Sequence, residues 1–180
     1  MIHSYTNQRQ RCPKCGKLIV NPMGNPGSPL LLVGDFPGYS EAMEGVPFSF
    51  RQKMTSPFKS GDVLQSELLH VGISFHSAYA TNLWQHAKDE KECDVNLHLD
   101  QLTKLFVDRT HVLLMGSDVT MALIGQKIQS VLGLQVKVPG FRKTHFWVAP
   151  NPSTIFGQPI GELRLALSRF SEDIGKQRKN

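Results

Sequence analysis

Short apolar runs alternate with stretches of helical periodicity along most of the chain. Continuous apolar runs of this length are typical of strands buried on both faces of a parallel sheet. Strands are predicted at residues 30–33, 75–81, 111–116 and 144–149, and helices at 61–72, 97–106, 118–124 and 163–174. This alternation predicts an α/β fold, namely a three-layer α/β/α sandwich with a central, mostly parallel four-stranded sheet.

Three further segments have weaker patterns. Residues 21–29 are rich in proline and glycine and are interpreted as a connector. Residues 133–140 are interpreted as a strand followed by a turn. Ser117 is interpreted as the cap of the predicted helix 118–124. The polar end of the chain, residues 175–180, is predicted to be a frayed tail.

Length and composition favour one domain over residues 1–180. A chain of 180 residues with 40% hydrophobic content can bury one substantial core. Its net charge of +5 favours an acidic partner such as nucleic acid. No apolar run is long enough to span a membrane, and residues 1–7 are polar. We therefore expect a cytoplasmic protein without a membrane partner.

The three cysteines suggest a metal site. An odd number of cysteines argues against a disulfide framework, whereas Cys12 and Cys15 have the spacing of two thiols that face one metal. His86 and Cys93 complete a candidate set of four ligands, and residues 1–29 then form a metal-binding segment and its connector. The alternative is a packed Cys93 and a solvated His86. His98 is the reserve ligand.

The loop at residues 34–48 holds the most informative combination of side chains. It follows the apolar run 30–33, so it begins at the carboxyl end of a predicted buried strand, where open α/β sheets place their active sites. Asp35 stands at the mouth of that strand. Pro37 restricts the backbone, and Phe48, eleven residues later, offers an aromatic face to a flat ligand.

In order and spacing, four segments over nearly the whole chain resemble the signatures of the uracil-DNA glycosylase superfamily. The resemblance is strongest to the iron–sulfur-containing, family 4-type enzymes of bacteria, archaea and phages. The segments are the loop 34–48, Tyr79-Ala80-Thr81-Asn82-Leu83, Leu113-Leu114-Met115-Gly116-Ser117, and Ala149-Pro150-Asn151-Pro152-Ser153-Thr154.

This resemblance implies a role for each site residue. Such enzymes extrude the target base from DNA and hydrolyse its glycosidic bond. Asp35 would position water or stabilise the cationic sugar, and Asn151 would donate a hydrogen bond to uracil O2. The base would be held by Gly34, Phe36, Phe48, which stacks on it, and Asn82, which reads its edge. Taken singly, Asp35 is equally a cap, Phe48 a core residue, and Asn82 and Asn151 turn formers.

The resemblance also implies a cofactor. Related enzymes carry a [4Fe–4S] cluster whose ligands begin with a similar cysteine pair, and a branch that binds uracil covalently has histidine at the position of His86. The implied ligands are therefore Cys12, Cys15, His86 and Cys93, with zinc as the alternative metal. Covalent trapping is not predicted, because the connection from His86 to Cys93 is short and lacks an arginine-rich insertion.

The resemblance makes residues 149–154 the second catalytic loop of the family, and contacts with DNA are predicted around it. Arg142 and Lys143 precede it and are candidates for phosphate contacts, and Ser153 lies within it. Ile155 or Phe156 would be the wedge that fills the space of the extruded base. The basic and aromatic segment 50–59 would line the DNA groove or form a solvated loop.

Two departures from the family pattern bear on activity. Asp35 stands where the iron–sulfur branch usually has glutamate, and Asn151 where it has histidine, although the mismatch-specific branch carries Asn-Pro-Ser in that loop. Two hypotheses follow. The first is a monomeric glycosylase acting on DNA that contains uracil or another deaminated base. The second is a catalytically weak or inactive, replication-associated DNA-binding module. Under either hypothesis we expect a monomer in the bacterial cytoplasm, at the nucleoid or in a phage-infected cell, with a replication or repair protein as a candidate partner.

Overall fold

The computed structural model describes residues 10–52, 57–88, 93–153 and 160–177, and these contain a six-stranded sheet. The strand order is β1-β3-β2-β4-β6-β5. The strands are β1 (Met23–Gly24), β2 (Leu30–Gly34), β3 (Tyr79–Asn82), β4 (His111–Met115), β5 (Gln135–Val136) and β6 (His145–Ala149).

The four inner strands are parallel, and the two outer strands are antiparallel to their neighbours. The prediction of a mostly parallel sheet in an α/β fold is confirmed. The predicted number of strands is wrong, because the four predicted strands are the inner ones of a sheet of six. β1 lies within the predicted connector and β5 within the predicted strand-and-turn segment. Each outer strand has only two residues, which is too short to show a period-two pattern.

Helices cover both faces of the sheet. They are α1 (Tyr39–Glu44), α2 (Ser60–His70), α3 (Val95–Lys104), α4 (Ser117–Ile124), α5 (Ile128–Val131) and α6 (Gly161–Gln177). A short 3₁₀ turn, Phe75–Ser77, occupies the start of the second predicted strand, 75–81. Ser117 is the first residue of α4 rather than its cap, and α6 continues through three residues of the predicted frayed tail.

Alternate residues of each inner strand pack into opposite cores, as the pleat requires. Leu30 and Leu32 face the core under α2 and α6, whereas Leu31 and Val33 face the core under α3 and α4. The second core also contains Cys12 and Cys93, among other residues. The fully buried β2 thereby holds the loop after it, and with it Asp35, on a rigid support.

Candidate active site and metal centre

The carboxyl ends of the parallel strands meet at one edge of the sheet and bring three of the predicted residues together. Gly34 pairs with Asn82 at the end of β3 and with Met115 at the end of β4, and Met115 pairs with Ala149 at the end of β6. Asp35 directly follows Gly34, and Asn151 lies two residues after Ala149. The strand alignment therefore places Asp35, Asn82 and Asn151 at one edge, as the sequence predicted.

The amino end of α4 holds the Asp35 carboxylate. Its Oδ1 accepts a hydrogen bond from the Val119 amide at 2.9 Å, and the Asp118 amide also donates to this carboxylate. Gly116 makes this approach possible, because a Cβ at Gly116 would overlap the Asp35 carboxylate. Gly116 also has φ +128°, which favours glycine. The sequence placed Gly116 in a strand-to-helix step but gave no indication of this contact.

The pKa of Asp35 is raised to about 6. Burial is the largest cause and the nearby charge of Asp118 adds to it, whereas the amide of Val119 and the side chain of Asn151 oppose the shift. The Asp35 side chain is 6% exposed. It therefore holds its proton to a higher pH than an ordinary aspartate, and it is ionised at neutral pH.

The side chain of Asn151 hydrogen-bonds both to Asp35 and to Ser153 in the loop after β6. Its Oδ1 accepts hydrogen bonds from the amide and the hydroxyl of Ser153, at 3.0 and 2.8 Å. Because Oδ1 is occupied by these donors, the amide nitrogen is the group that hydrogen-bonds to Asp35.

Asn82 has a fixed amide orientation. Its Nδ2 donates to the carbonyl oxygen of Pro47 at 3.1 Å, and a carbonyl can only accept, so the nitrogen faces Pro47. Gly34 lets Asn82 Oδ1 approach the backbone, because a Cβ at Gly34 would overlap that oxygen. Phe48 lies beside them, 3% exposed, and its ring packs edge-on against Phe75. Phe48 therefore belongs to the hydrophobic core and also lies beside Gly34 and Asn82 at the edge of the sheet.

Two adjoining cavities open at this edge. One, of about 290 Å³, is lined by Phe48 and Asn82. The other, of about 630 Å³, is lined by Asp35 and Gly116. Phe36, Asn151 and Ser153 line both cavities and form the boundary between them. The arrangement offers a flat compartment beside the amide of Asn82 and a separate compartment beside the carboxylate of Asp35.

Glu41 organises the first loop and was not singled out from the sequence. Its carboxylate accepts hydrogen bonds from the Gly38 amide at 2.5 Å, the Ser60 hydroxyl at 2.6 Å and the Ser49 amide at 3.3 Å. These bonds tie α1, the residue after Phe48 and the start of α2 together. The sequence signal for this role is the position of Glu41 three residues after Gly38. A glutamate at that position of a helix start can accept a hydrogen bond from the backbone amide of the N-cap residue.

Lys88 is a second residue that the sequence did not single out. Its Nζ forms an ion pair with Asp118 at 2.6 Å and lies 5.9 Å from the centre of the Phe36 ring. Lys88 lines the Asp35 cavity, and it places a positive charge at the mouth of the site.

The predicted DNA contacts have different outcomes. Ser153 is exposed and lines both cavities. Arg142 and Lys143 precede β6 and lie at the amino ends of the parallel strands, so the structure does not bring them to the Asp35 edge. Ile155 and Phe156 lie outside the described residues.

A compact group of thiols and imidazoles lies beside this edge. Cys12 Sγ is 3.5 Å from Cys93 Sγ, and His98 Nε2 is 3.3 Å from Cys93 Sγ and 3.1 Å from His86 Nε2. The ligand atoms of Cys12, His86, Cys93 and His98 all lie within 4.8 Å of one another, and the four residues are buried. This group could bind a metal, and it includes the reserve candidate His98.

Cys15 lies next to this group. Its Sγ is 3.3 Å from His86 Nε2, and it also interacts with the thiols of Cys12 and Cys93. Burial works against ionisation of the Cys12 thiol, but the backbone amides of Cys15 and Lys14 hydrogen-bond to it and hold its pKa below the usual value. The CPKC turn is therefore arranged to stabilise a thiolate, the form that binds metals.

His86 presents an unprotonated nitrogen to the group. Its Nδ1 is 2.8 Å from the carbonyl oxygen of Ala87, and because that oxygen only accepts, Nδ1 carries the proton. Nε2 therefore directs its lone pair into the group, where Cys15 Sγ lies at 3.3 Å and His98 Nε2 at 3.1 Å. A hydrogen bond from the second ring nitrogen to a carbonyl is the usual way in which proteins orient a metal-binding histidine.

Comparison with known proteins agrees with this geometry. The protein-family model of the uracil DNA glycosylase superfamily matches residues 22–173, which include all four parallel strands and the carboxylate edge but not Cys12 or Cys15. No curated protein matches the chain. None of the described helices is long and apolar enough to cross a membrane. From the match over most of its length, together with the residues gathered at the sheet edge, the chain belongs to the uracil DNA glycosylase superfamily.

Proposed function

We propose that this protein is a DNA glycosylase that removes uracil, or a related deaminated base, from DNA. The observation that carries the proposal is the pair of adjoining cavities, one beside the Asn82 amide and the other beside the Asp35 carboxylate. Family membership supports a glycosylase-type activity with DNA as partner. The extruded base would enter the first cavity and leave its sugar facing the second.

In this proposal the first cavity reads the base. Asn82 has one amide hydrogen and Oδ1 left after bonding to Pro47, which suits the O4 and N3–H of uracil. Phe48 and Phe36 would contact the ring faces, and the amide of Asn151, which lines both cavities, would donate to O2. Cytosine presents a donor in place of O4, so a fixed amide discriminates against it.

In this proposal the second cavity, beside Asp35, would accommodate the sugar during cleavage of the glycosidic bond. The C1′–N1 bond breaks with its electron pair leaving on the base, and the positive charge that develops on the sugar is stabilised by the Asp35 carboxylate. Water then adds to C1′, and its proton is accepted by Asp35. The amide of Asn151 stabilises the negative charge on the departing base, although more weakly than a cationic histidine would.

The test is strand cleavage at abasic sites after incubation with oligonucleotides that contain uracil, hypoxanthine or a G·T mismatch. We expect abasic product from at least one of them in single-turnover conditions. Absence of product from all three at large enzyme excess would reject the glycosylase proposal.

One observation favours the second candidate, a DNA-binding module without catalysis. The Asp35 carboxylate accepts hydrogen bonds from α4 amides, which is also the geometry of a purely structural helix cap. In that case the uracil oligonucleotide would bind without being cut, and with the affinity of an unmodified one. Tight binding with no product would support this candidate.

Replacing Asn82 with alanine should reduce uracil excision about 10- to 100-fold, because leaving polar groups of the base unpaired in a buried pocket costs about 1–3 kcal/mol. The single-turnover rate on a uracil oligonucleotide measures this effect. Asn96→Ala, on the exposed start of α3, is the control and should keep the wild-type rate. An unchanged rate in Asn82→Ala would remove Asn82 from base recognition.

Excision should also depend on pH through Asp35. Because the pKa of this carboxyl is raised to about 6, the active carboxylate form accumulates as the pH rises from about 5 to 7, and the rate rises with it to a plateau. Asp118→Asn removes a repelling negative charge and should move the midpoint to lower pH. A flat profile across this range in the wild type would contradict the role of Asp35.

A metal held by the thiol and imidazole group would have a structural role in this proposal. Its ligands lie in the N-terminal segment, the loop after β3 and α3, so it would join the segment around Cys12 to the glycosylase core, as a single domain requires. The resemblance implies a [4Fe–4S] cluster, with zinc as the alternative metal, and whichever metal is bound would act as a cross-link. No step at Asp35 or Asn82 requires it.

A further inference from the structure

The thiol and imidazole group has the dimensions of a single-ion site. Its nearest ligand-atom pairs are Cys12 Sγ to Cys93 Sγ at 3.5 Å, Cys93 Sγ to His98 Nε2 at 3.3 Å and His98 Nε2 to His86 Nε2 at 3.1 Å. One tetrahedral zinc ion, with bonds of about 2.0–2.3 Å, separates its ligand atoms by about 3.3–3.8 Å. The observed separations are close to these.

A four-iron cluster needs a different arrangement. Each of its four protein ligands is bound to a different iron, so the ligand atoms stand apart by the full width of the cluster. Here all four atoms of the buried group lie within 4.8 Å of one another. The residues present therefore do not fit the [4Fe–4S] cluster that the resemblance implies.

We infer that this centre binds one tetrahedral zinc ion rather than an iron–sulfur cluster, with Cys12, His86, Cys93 and His98 as its ligands. Two thiolates and two neutral imidazoles give the ion a ligand set of net charge −2, which cancels the charge of Zn²⁺. Neutrality favours burial, and His86 and His98 are each 1% exposed, with Cys12 at 2% and Cys93 at 6%.

His98 is the residue that distinguishes this proposal from the sequence prediction. It comes from α3, and its Nε2 contacts both His86 and Cys93. These contacts make Nε2 the nitrogen that faces the group, while Nδ1 is buried with no hydrogen-bond partner among the described residues. Trp84 packs against both imidazole rings, at 5.1 Å from His98 and 6.0 Å from His86, and excludes water on that side.

Cys15 is then a fifth donor outside the ligand set. It is half-buried, whereas Cys12 and Cys93 are buried, and its closest ring contact is His86 Nε2 at 3.3 Å. It does not belong to the group whose atoms are all mutually within 4.8 Å. Its role is to support the thiolate of Cys12, through its backbone amide, and to fill the outer side of the centre.

The first measurement is the metal content of the full chain, purified without oxygen from cells supplied with both iron and zinc. We expect one zinc per chain, a colourless protein and no acid-labile sulfide. A brown protein with iron and sulfide in equal amounts, before or after anaerobic reconstitution, would overturn the inference.

The second measurement identifies the ligands by substitution. His98→Asn should lower zinc affinity at least about tenfold in competition with a chelator. His98→Cys, which supplies a different zinc ligand at the same place, should retain the ion, and Cys15→Ser should bind zinc as the wild type does. The His98→Cys variant keeps the test decisive if His98→Asn fails to fold.

Cobalt(II) in place of zinc counts the thiolates. The wild type and Cys15→Ser should show equal thiolate-to-cobalt charge-transfer absorption, and His98→Cys should show half as much again. Loss of absorption in Cys15→Ser, or zinc retention in a folded His98→Asn, would overturn the ligand set. These readouts need no substrate, so they stand apart from the failure or success of the glycosylase proposal.

Discussion

Asp35→Asn removes base excision while leaving the fold and DNA binding intact. The substitution keeps the shape of the side chain and its contact with the Val119 amide but removes the negative charge. Electrostatic and acid–base contributions of this kind are each worth on the order of 10²–10³ or more in rate, so we expect at least that loss. Single-turnover excision and the affinity for an uncut uracil oligonucleotide measure the two effects separately.

Glu67→Gln is the matched control. Glu67 is also a buried carboxylate, 3% exposed, but it lies on α2 and pairs with Arg164 of α6. Its neutralisation should lower the melting temperature and leave the excision rate unchanged. Asp35→Asn should not lower the melting temperature at neutral pH, because burial disfavours the ionised form that it removes. An active Asp35→Asn variant would leave Asp35 with a structural role only.

Gly116→Ala should nearly abolish excision, and for a steric reason. A methyl group at this position overlaps the Asp35 carboxylate, and the backbone has φ +128°, which an alanine rarely adopts. The carboxylate must move, and a displacement of about 1 Å in a catalytic group can cost on the order of 10² in rate. The rate of uracil excision and the melting temperature are the measurements.

Gly125→Ala separates displacement of Asp35 from backbone strain. Gly125 also has a positive φ, +66°, and lies at the other end of α4, but a Cβ there meets nothing within 4 Å. This variant should lose about 1 kcal/mol of stability and keep its activity. Equal activity losses in the two glycine variants would show that strain in α4, and not contact with Asp35, is responsible.

The sequence was sufficient for the parts of the site that follow strand ends. Asp35, Asn82 and Asn151 each lie at or directly after an apolar run, and the carboxyl ends of parallel strands share one edge, so their convergence was predictable. Arg142 and Lys143 also adjoin such a run, but at its amino end. The five residues of β6 place them about 15 Å from that edge.

The metal centre shows a different limit. The spacing of Cys12 and Cys15 indicated a metal site, yet spacing does not state which more distant residues complete it. His98 lies on α3, one turn from its amino end, and its contact with His86 depends on how α3 packs against the loop after β3. Packing of this kind depends on contacts between distant segments.

By itself, then, the sequence determined the α/β fold, the four parallel strands and the identity of the residues at their carboxyl ends, because these follow from local periodicity and order along the chain. The tertiary structure alone decided the orientation of the groups: the Asn82 amide fixed by Pro47, the Asp35 carboxylate against Gly116, and His98 beside His86. Those arrangements depend on contacts between residues far apart in sequence, which a local pattern does not encode.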